Sequence, residues 1–318
     1  GADGPWPPDG TDLGPALVGA GQTNRTFIIR NDGGSNLVLN GVPAVVVDGP
    51  NAAEFSIAPQ PVSPISGGTS TPFTVQFSPA YHGVRLARLA ISNNISGSSP
   101  YRLWLAGFGD GMGAYMQAAD ANGVACGEAE GLHANEPGAG SSYGGVWRPY
   151  ADLSAAALVY MMVPQGSVIG GGGSNVPARM DYFVSMAKTG RHYLWVRARS
   201  ARGGGFADSV SVSYNDKGPY QVTTTSSTTT WTWTKANAVW TNNTLGVHCV
   251  SIHLREDGTQ IDRVLLTSSA TYNPASYNGG LGPTTSPLIP EPAAMLLVLA
   301  CGAASVRAAG YTLRMRCR

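Results

Sequence analysis

The sequence predicts an all-β protein of two β-sandwiches in succession, and three observations carry this prediction. Charged residues make up only 12% of the 318 residues, about half the share in an average soluble protein, whereas Gly (42) and Pro (22) are abundant. Short runs alternate between apolar and polar residues, the period of a strand with one buried face. No helical period separates these runs, and the length is enough for about two domains.

The distribution of charge argues against a nucleic-acid-binding protein, and the spacing of the cysteines argues against a structural zinc site. The formal net charge is +1, and the sequence outside the last 28 residues offers no basic face to neutralise phosphates, which argues against a nucleic-acid binder. The four cysteines, at 126, 249, 301 and 317, form no C-x-x-C pair, so a structural zinc site is not predicted. Cys126 and Cys249 are either two buried thiols or a pair brought together by the fold.

Residues 1–109 are predicted to form an immunoglobulin-like sandwich. Residues 73–78 alternate Phe or Val with polar residues, and Tyr101, Leu103 and Leu105 repeat the pattern. Turn sequences at 31–34 and 48–51 separate such runs. Segments 26–31, 53–57, 73–79 and 105–109 resemble the choice-of-anchor D domains, relatives of the Hydin-type immunoglobulin-like modules. This resemblance implies a surface spacer and brings no catalytic residues.

Residues 110–275 are predicted to form a second β-rich domain, with strands at 193–197 and 261–266. The Asp257-Gly258 turn chemistry between two strands predicts a hairpin. Segments 127–130, 190–197, 208–210, 246–248 and 255–262 resemble carbohydrate-binding modules of families 6 and 35, which are galactose-binding-like jelly rolls. The resemblance implies carbohydrate as the partner.

The same resemblance implies a structural Ca²⁺ ion away from the sugar site, with Glu128, Glu130 and Asp262 as its acidic ligands. Residues i and i+2 of a strand face the same side, so the first two carboxylates are expected to lie together. Ca²⁺ prefers hard oxygen ligands and would join them. The alternative is an exposed strand with solvated acids.

Sugar binding requires an aromatic face for stacking and a few polar anchors in a shallow cleft. Trp231 and Trp233 share one strand face, and Trp240 lies just downstream. We expect a platform among Trp147, Trp233 and Trp240, with Asp208, in the loop after three glycines, accepting hydrogen bonds from hydroxyls. Trp195 lies in an apolar strand and is assigned to the core. Burial is the alternative for each Trp, since aromatic residues dominate core energetics.

Residues 276–289 are predicted to be a linker, and residues 290–318 a tail. Pro290-Glu291-Pro292 is followed by the apolar run 293–306 and then by Arg307, Arg314, Arg316 and Arg318. The run is shorter than the roughly 20 residues that span a bilayer as a helix. This order resembles the PEP-CTERM sorting signal, which implies an exosortase-type protease, export, and a place at the cell surface or in the extracellular matrix. A buried C-terminal helix is the alternative.

Sequence motifs of enzymes are weak in this chain. Residues 140–144 match G-x-S-x-G but lack the strand and helix that this motif needs, and the five His show no metal-binding spacing. Asp208 with Glu256 or Asp257 stays open as a carboxylate pair for glycoside hydrolysis. We therefore expect an exported, surface-sorted, non-catalytic carbohydrate-binding protein. The alternatives are a structural surface or matrix protein without a ligand, and a fragment of a larger polysaccharide-degrading enzyme.

Overall fold

The computed structural model describes residues 10–111, 113–138, 145–164, 176–215 and 217–289. In these ranges the regular elements are β-strands and single 3-10 turns. The chain divides into two compact units: the first runs to Gly111 and also includes Pro149–Leu153, and the second holds the remainder. The predicted all-β class, with two β-sandwiches in succession, is confirmed for the described residues. The predicted C-terminal helix lies outside them.

The first unit contains seven strands in the described part of the chain. They are β1 (Asp12–Leu17), β2 (Thr23–Arg30), β3 (Val45–Asp48), β4 (Phe55–Ile57), β5 (Ser70–Phe77), β6 (Gly83–Ile91) and β7 (Tyr101–Asp110). One sheet has the order β1-β7-β6-β3 and the other β2-β5-β4. β1 runs parallel to β7, and the other pairs are antiparallel. The predicted strand 73–78 overlaps β5, and the predicted strand 101–105 lies within β7.

The core of the first unit is built from the alternating residues of both sheets. Phe73, Val75 and Phe77 of β5 point inward and pack with Leu89 of β6 and Leu105 of β7. Their polar neighbours in β5 are less buried, as the period of two requires. The alternation that predicted these strands therefore also identifies the buried face.

The second unit supplies the remaining strands of the described residues. They are β8 (Tyr115–Met116), β9 (Ala125–Glu128), β10 (Ala134–Glu136), β11 (Arg148–Ala151), β12 (Val159–Met162), β13 (Arg179–Met186), β14 (Gly190–Ser200), β15 (Ser209–Tyr214), β16 (Lys217–Thr223), β17 (Thr232–Asn242), β18 (Gly246–Leu254) and β19 (Thr259–Thr267). Residues 149–151 of β11 group with the first unit. The strands predicted at 193–197 and 261–266 are β14 and β19, which pair with each other.

Two sheets form the second sandwich. One has the order β10-β13-β18-β15-β16, with β8 added on β13, and the other contains β12-β19-β14-β17, with β9 added on β19. Their inner faces meet around Tyr182 and Val250 of the first sheet and Leu194 and Val264 of the second. β18 and β19 belong to different sheets, so the hairpin predicted at Asp257-Gly258 is wrong. The turn instead carries the chain from one sheet to the other. Gly258 N donates to the Val163 carbonyl at 2.9 Å, just after β12.

The segment predicted as a linker, 276–289, packs on the second unit. Ser286 N donates to the Cys126 carbonyl at 2.8 Å, and Ile289 N donates to the Ala114 carbonyl at 2.9 Å. These bonds align the segment with β9 and the chain before β8. The linker assignment is therefore corrected, since the backbone of this segment is paired with the second unit rather than free. The sorting-signal residues, 290–318, lie outside the described residues.

Cys126 is a buried free thiol, so it is not bonded to Cys249. Burial raises the pKa of the Cys126 thiol to about 12.

Among the residues that the structure describes, no helix has the length and apolar character needed to cross a membrane.

Candidate functional site

The structure buries all three tryptophans that the sequence offers as sugar platforms. Trp147 is 1% exposed, and its Nε1 donates to the Ala178 carbonyl at 3.2 Å. Trp240 is also buried and contacts the rings of Tyr214 and Tyr220. Neither ring has a face open to a ligand, which corrects these two assignments.

Trp233 is buried for a reason that its own strand does not reveal. It packs with Cys126, Leu265 and Tyr272, and its Nε1 donates to the Gly280 carbonyl at 3.1 Å. A Cβ at Gly282 would lie 2.6 Å from the indole, so the backbone at 280–282 lies directly over the ring. Trp233 is therefore part of the core, and its assignment as a platform is corrected. Trp195, assigned to the core, is half-buried and packs against the same cluster.

Trp231, two residues earlier, remains partly accessible. It stands just before β17 and is half-buried, and its Nε1 donates to Oγ of the exposed Ser154 at 3.0 Å. The guanidinium of Arg199 lies 4.4 Å from the indole centroid and that of Arg197 lies 5.6 Å from it. The Tyr160 ring centroid is 5.7 Å away. We call Ser154, Tyr160, Arg199, Trp231 and Gln260 the Trp231 cluster.

Three strands and two loops position the Trp231 cluster, one loop before β12 and the other before β17. Arg199 of β14 pairs in register with Gln260 of β19, and its Nε donates to Gln260 Oε1 at 2.5 Å. Tyr160 comes from β12, and Ser154 from the loop before it. The cluster thus combines an indole with guanidinium, amide and hydroxyl groups. This is the combination of one aromatic face and several polar anchors that sugar binding requires.

Asp208 lies at the end of a glycine-rich loop, as predicted, and is half-buried. Gly203, Gly204 and Gly205 all have positive φ, a conformation that glycine adopts without steric cost. Asp208 N donates to Glu256 Oε2 at 3.1 Å, and its carbonyl accepts from Thr224 N at 2.6 Å. Three loops therefore meet at this residue.

Asp208 and Glu256 influence each other's pKa. Burial and the neighbouring Glu256 raise the pKa of Asp208. Burial also opposes ionisation of Glu256, but hydrogen bonds from Ser209 and Asp208 N, together with Arg255, outweigh it and hold its pKa below the usual value. Asp208 is consequently the member of the pair that holds a proton more readily.

Asp208 and Glu256 are also one of the carboxylate pairs that the hydrolysis alternative would use. Glycosidases place their two carboxyls about 5 to 9.5 Å apart, so that the sugar or a water fits between them. Here Glu256 Oε2 accepts from Asp208 N, so the Glu256 carboxylate is engaged in holding the loop backbone.

The three residues predicted as calcium ligands do not form one site. Glu128 ends β9, whereas Glu130 lies in the 3-10 turn Ala129–Gly131, so the strand period that would have aligned them does not apply. Asp262 Oδ1 accepts from Ala156 N at 2.8 Å, and its Oδ2 accepts from Arg197. Within the described ranges, no group of three His, Cys, Asp or Glu residues could hold a metal ion.

Arginine partners explain why these carboxylates do not fit the implied Ca²⁺. Glu128 Oε1 lies 2.8 Å from Arg263 Nη2, and Asp262 pairs with Arg197. Burial raises the pKa of Asp262, and Arg197 opposes that rise. The negative charges of Glu128 and Asp262 are therefore already neutralised by guanidinium groups.

Comparison with known proteins gives remote similarities of fold. No protein-family model matches the sequence, and no curated protein matches it. The secreted serine protease VesC from Vibrio cholerae is 13% identical with a TM-score of 0.29, over 81% of this chain and 48% of that chain. The chain thus spans about half the length of VesC.

Two other solved structures match parts of the chain. The C-terminal CBM6 of LamC, a laminarinase from Zobellia galactanivorans, is 13% identical with a TM-score of 0.32, over 46% of this chain and 99% of that chain. The ASH/PapD-like domain 7 of human CEP192 is 12% identical with a TM-score of 0.24, over 31% of this chain and 80% of that chain. At these values the similarities assign no activity to this chain.

Proposed function

We propose that the second unit binds carbohydrate without catalysis and that the Trp231 cluster is its binding surface. The observation that carries this proposal is the half-buried indole of Trp231, which packs against the Arg199 guanidinium and donates from Nε1 to the Ser154 hydroxyl. The indole supplies an apolar surface for the C–H face of a pyranose. Arg199 and Ser154 supply donors and acceptors for its hydroxyls, and Gln260, buried below them, holds Arg199 in place.

Asp208 and Glu256 form a second polar group at the loops. The segment 224–231 runs from Thr224, which donates to the Asp208 carbonyl, to Trp231. Within this segment the Ser227 carbonyl accepts a hydrogen bond from Ser200 N at 2.9 Å. We propose that Asp208 accepts hydrogen bonds from sugar hydroxyls that extend beyond the Trp231 cluster. A ligand of more than one sugar unit fits this arrangement better than a monosaccharide.

We propose further that the protein is exported and sorted to the cell surface or the extracellular matrix. The support is the order of Pro290-Glu291-Pro292, apolar run and arginines, with an exosortase-type protease as a transient partner. Replacing Glu291 by Ala in a host that contains an exosortase is expected to leave the tail uncleaved. Cleavage at the unchanged position would contradict the sorting proposal.

A glycan array probed with the full chain tests the binding proposal. Retention of one glycan class is expected, with no release of reducing ends when the retained glycan is incubated with the protein. Release of reducing ends would favour the polysaccharide-degrading alternative. Failure to bind any plant, algal or bacterial polysaccharide would favour the structural alternative.

A further inference from the structure

We propose that the guanidinium of Arg263 takes the place of the calcium ion that the resemblance to carbohydrate-binding modules implies, and that the second unit therefore needs no calcium. Arg263 lies on β19 and is 3% exposed. Its Nη1 donates to the carbonyls of Leu281 at 3.0 Å and Pro283 at 2.6 Å. Its Nη2 donates to Thr285 Oγ1 at 3.0 Å and lies 2.8 Å from Glu128 Oε1.

The oxygens around this guanidinium are of the kinds that a calcium ion takes. One carboxylate, two backbone carbonyls and one hydroxyl surround the group, and Ca²⁺ is held in proteins by carboxylates, carbonyls and water. Thr285 Oγ1 also donates to Glu128 Oε1 at 2.5 Å. The positive charge thus sits inside a preformed set of hard oxygen acceptors. Arginine satisfies that set with fixed, directional donors.

A second guanidinium neutralises Asp262, another of the predicted ligands. The side chain of Asp262 is fully buried and pairs with Arg197 Nη1. The Trp231 indole covers Arg197 at 5.6 Å. Two of the three acids that the calcium assignment joined, Glu128 and Asp262, are therefore held by separate arginines. A shared divalent ion would have to displace both of them.

Arg263 also performs a task beyond neutralising charge, because it joins two distant parts of the chain. Glu128 ends β9, and Leu281, Pro283 and Thr285 belong to the segment that runs toward the tail. The guanidinium holds this segment against β9 and β19, next to the Gly280–Gly282 stretch that covers Trp233. The segment is anchored by a side chain instead of by a metal.

Thermal unfolding of the full chain tests the proposal directly. A ligand that binds only the folded state raises Tm by mass action. We expect the same Tm in excess chelator and in millimolar CaCl₂. A Tm raised by about 5 °C or more in CaCl₂, and lost again in chelator, would overturn the proposal.

An arginine variant tests whether Arg263 occupies a cation site. Arg263→Ala leaves Glu128 buried without its partner, and we expect Tm to fall by roughly 6–20 °C. CaCl₂ is expected to restore part of that loss, because truncation frees the oxygens. Arg191→Ala, an exposed arginine of β14, is the matched control and is expected to lose at most about 2 °C.

The remaining outcomes are also decisive. An Arg263→Ala protein that folds but gains nothing from CaCl₂ would show that the oxygens are not a cation site. If Arg263→Ala fails to fold, Arg263→Lys keeps one charge with fewer donors. We expect this variant to fold with a lowered Tm and faster amide exchange at 281–286. Unchanged exchange there would contradict the anchoring role.

Discussion

The side-chain amide of Asn215 donates a hydrogen bond to Nδ1 of His248 at 2.6 Å. Its orientation is fixed, because Asn215 Oδ1 accepts from Cys249 N at 2.8 Å. Nδ1 must therefore be unprotonated, and Nε2 carries the proton and donates to the Thr244 carbonyl at 3.1 Å. The geometry requires a neutral imidazole.

This requirement predicts a loss of stability in mild acid. Burial lowers the pKa of His248, and it lowers that of His192 as well, below the value near 6.5 of an unfolded chain. As the pH falls through 6.5, the unfolded state takes up more protons than the folded state, so the free energy of unfolding decreases until the folded-state pKa values are passed. Tm of the full chain measured from pH 7.5 to 5 is expected to fall in this window.

Replacing His248 removes one of the two histidines whose pKa burial lowers. His248→Gln is expected to lower Tm at pH 7.5 and to flatten its dependence on pH between 7 and 5. A His248→Gln profile parallel to that of the wild type would contradict the assigned tautomer.

Substitution of Gly107 in the first unit is expected to cause a packing defect. A methyl group at Gly107 would lie 2.5 Å from the ring of Phe77, which is fully buried. Gly107→Ala is expected to destabilise the first unit by about 1–3 kcal/mol, because the ring cannot move freely in a packed core. Gly34→Ala, where a methyl group meets open space, is the matched control. Urea unfolding of both variants checks this, and equal midpoints would contradict the packing argument.

Cysteine labelling provides a test of burial in the second unit. Because burial raises the pKa of Cys126 to about 12, its reactive thiolate is scarce at pH 8. We expect maleimide to modify Cys126 slowly in the folded protein and rapidly in denaturant, as followed by peptide mass spectrometry with Cys126→Ser as the blank. Modification within minutes under native conditions would show that β9 opens readily.

Trp147 is expected to matter for stability and not for binding. Trp147→Phe removes the hydrogen bond from Nε1 to the Ala178 carbonyl and some buried volume. The expected loss is about 1–2 kcal/mol in the free energy of unfolding. Retention of a glycan on an affinity gel should stay unchanged. Weaker retention of a folded Trp147→Phe protein would show that Trp147 contributes to the binding surface.

The sequence predicts the strands well because alternation is a local signal. β5 and β14 are recognisable from their own residues, and so are the inward positions of Phe73, Val75 and Phe77. The turn at Asp257-Gly258 is also visible, but its chemistry is the same whether it closes a hairpin or crosses between sheets. What distinguishes the two is the pairing of β18 and β19 with strands of different sheets, which is a long-range property.

The site residues were less predictable because long-range contacts decide their environments. Trp231 and Trp233 have the same local pattern, and distant residues bury the second one: the cluster around Leu265 and the backbone at 280–282. Likewise, Glu128 and Asp262 acquire their partners, Arg263 and Arg197, from other strands. Nothing within three or four residues of either acid reveals those pairs.

Binding by Trp231→Ala tests the central proposal most directly. On an affinity gel containing the glycan retained in the array, removal of the indole is expected to weaken binding about tenfold or more, a loss of about 1.4 kcal/mol. Tyr101→Ala, an exposed aromatic of the first unit, serves as the control and should migrate as the wild type does. A folded Trp231→Ala protein that is retained as strongly as the wild type would contradict the Trp231 cluster as the carbohydrate-binding surface.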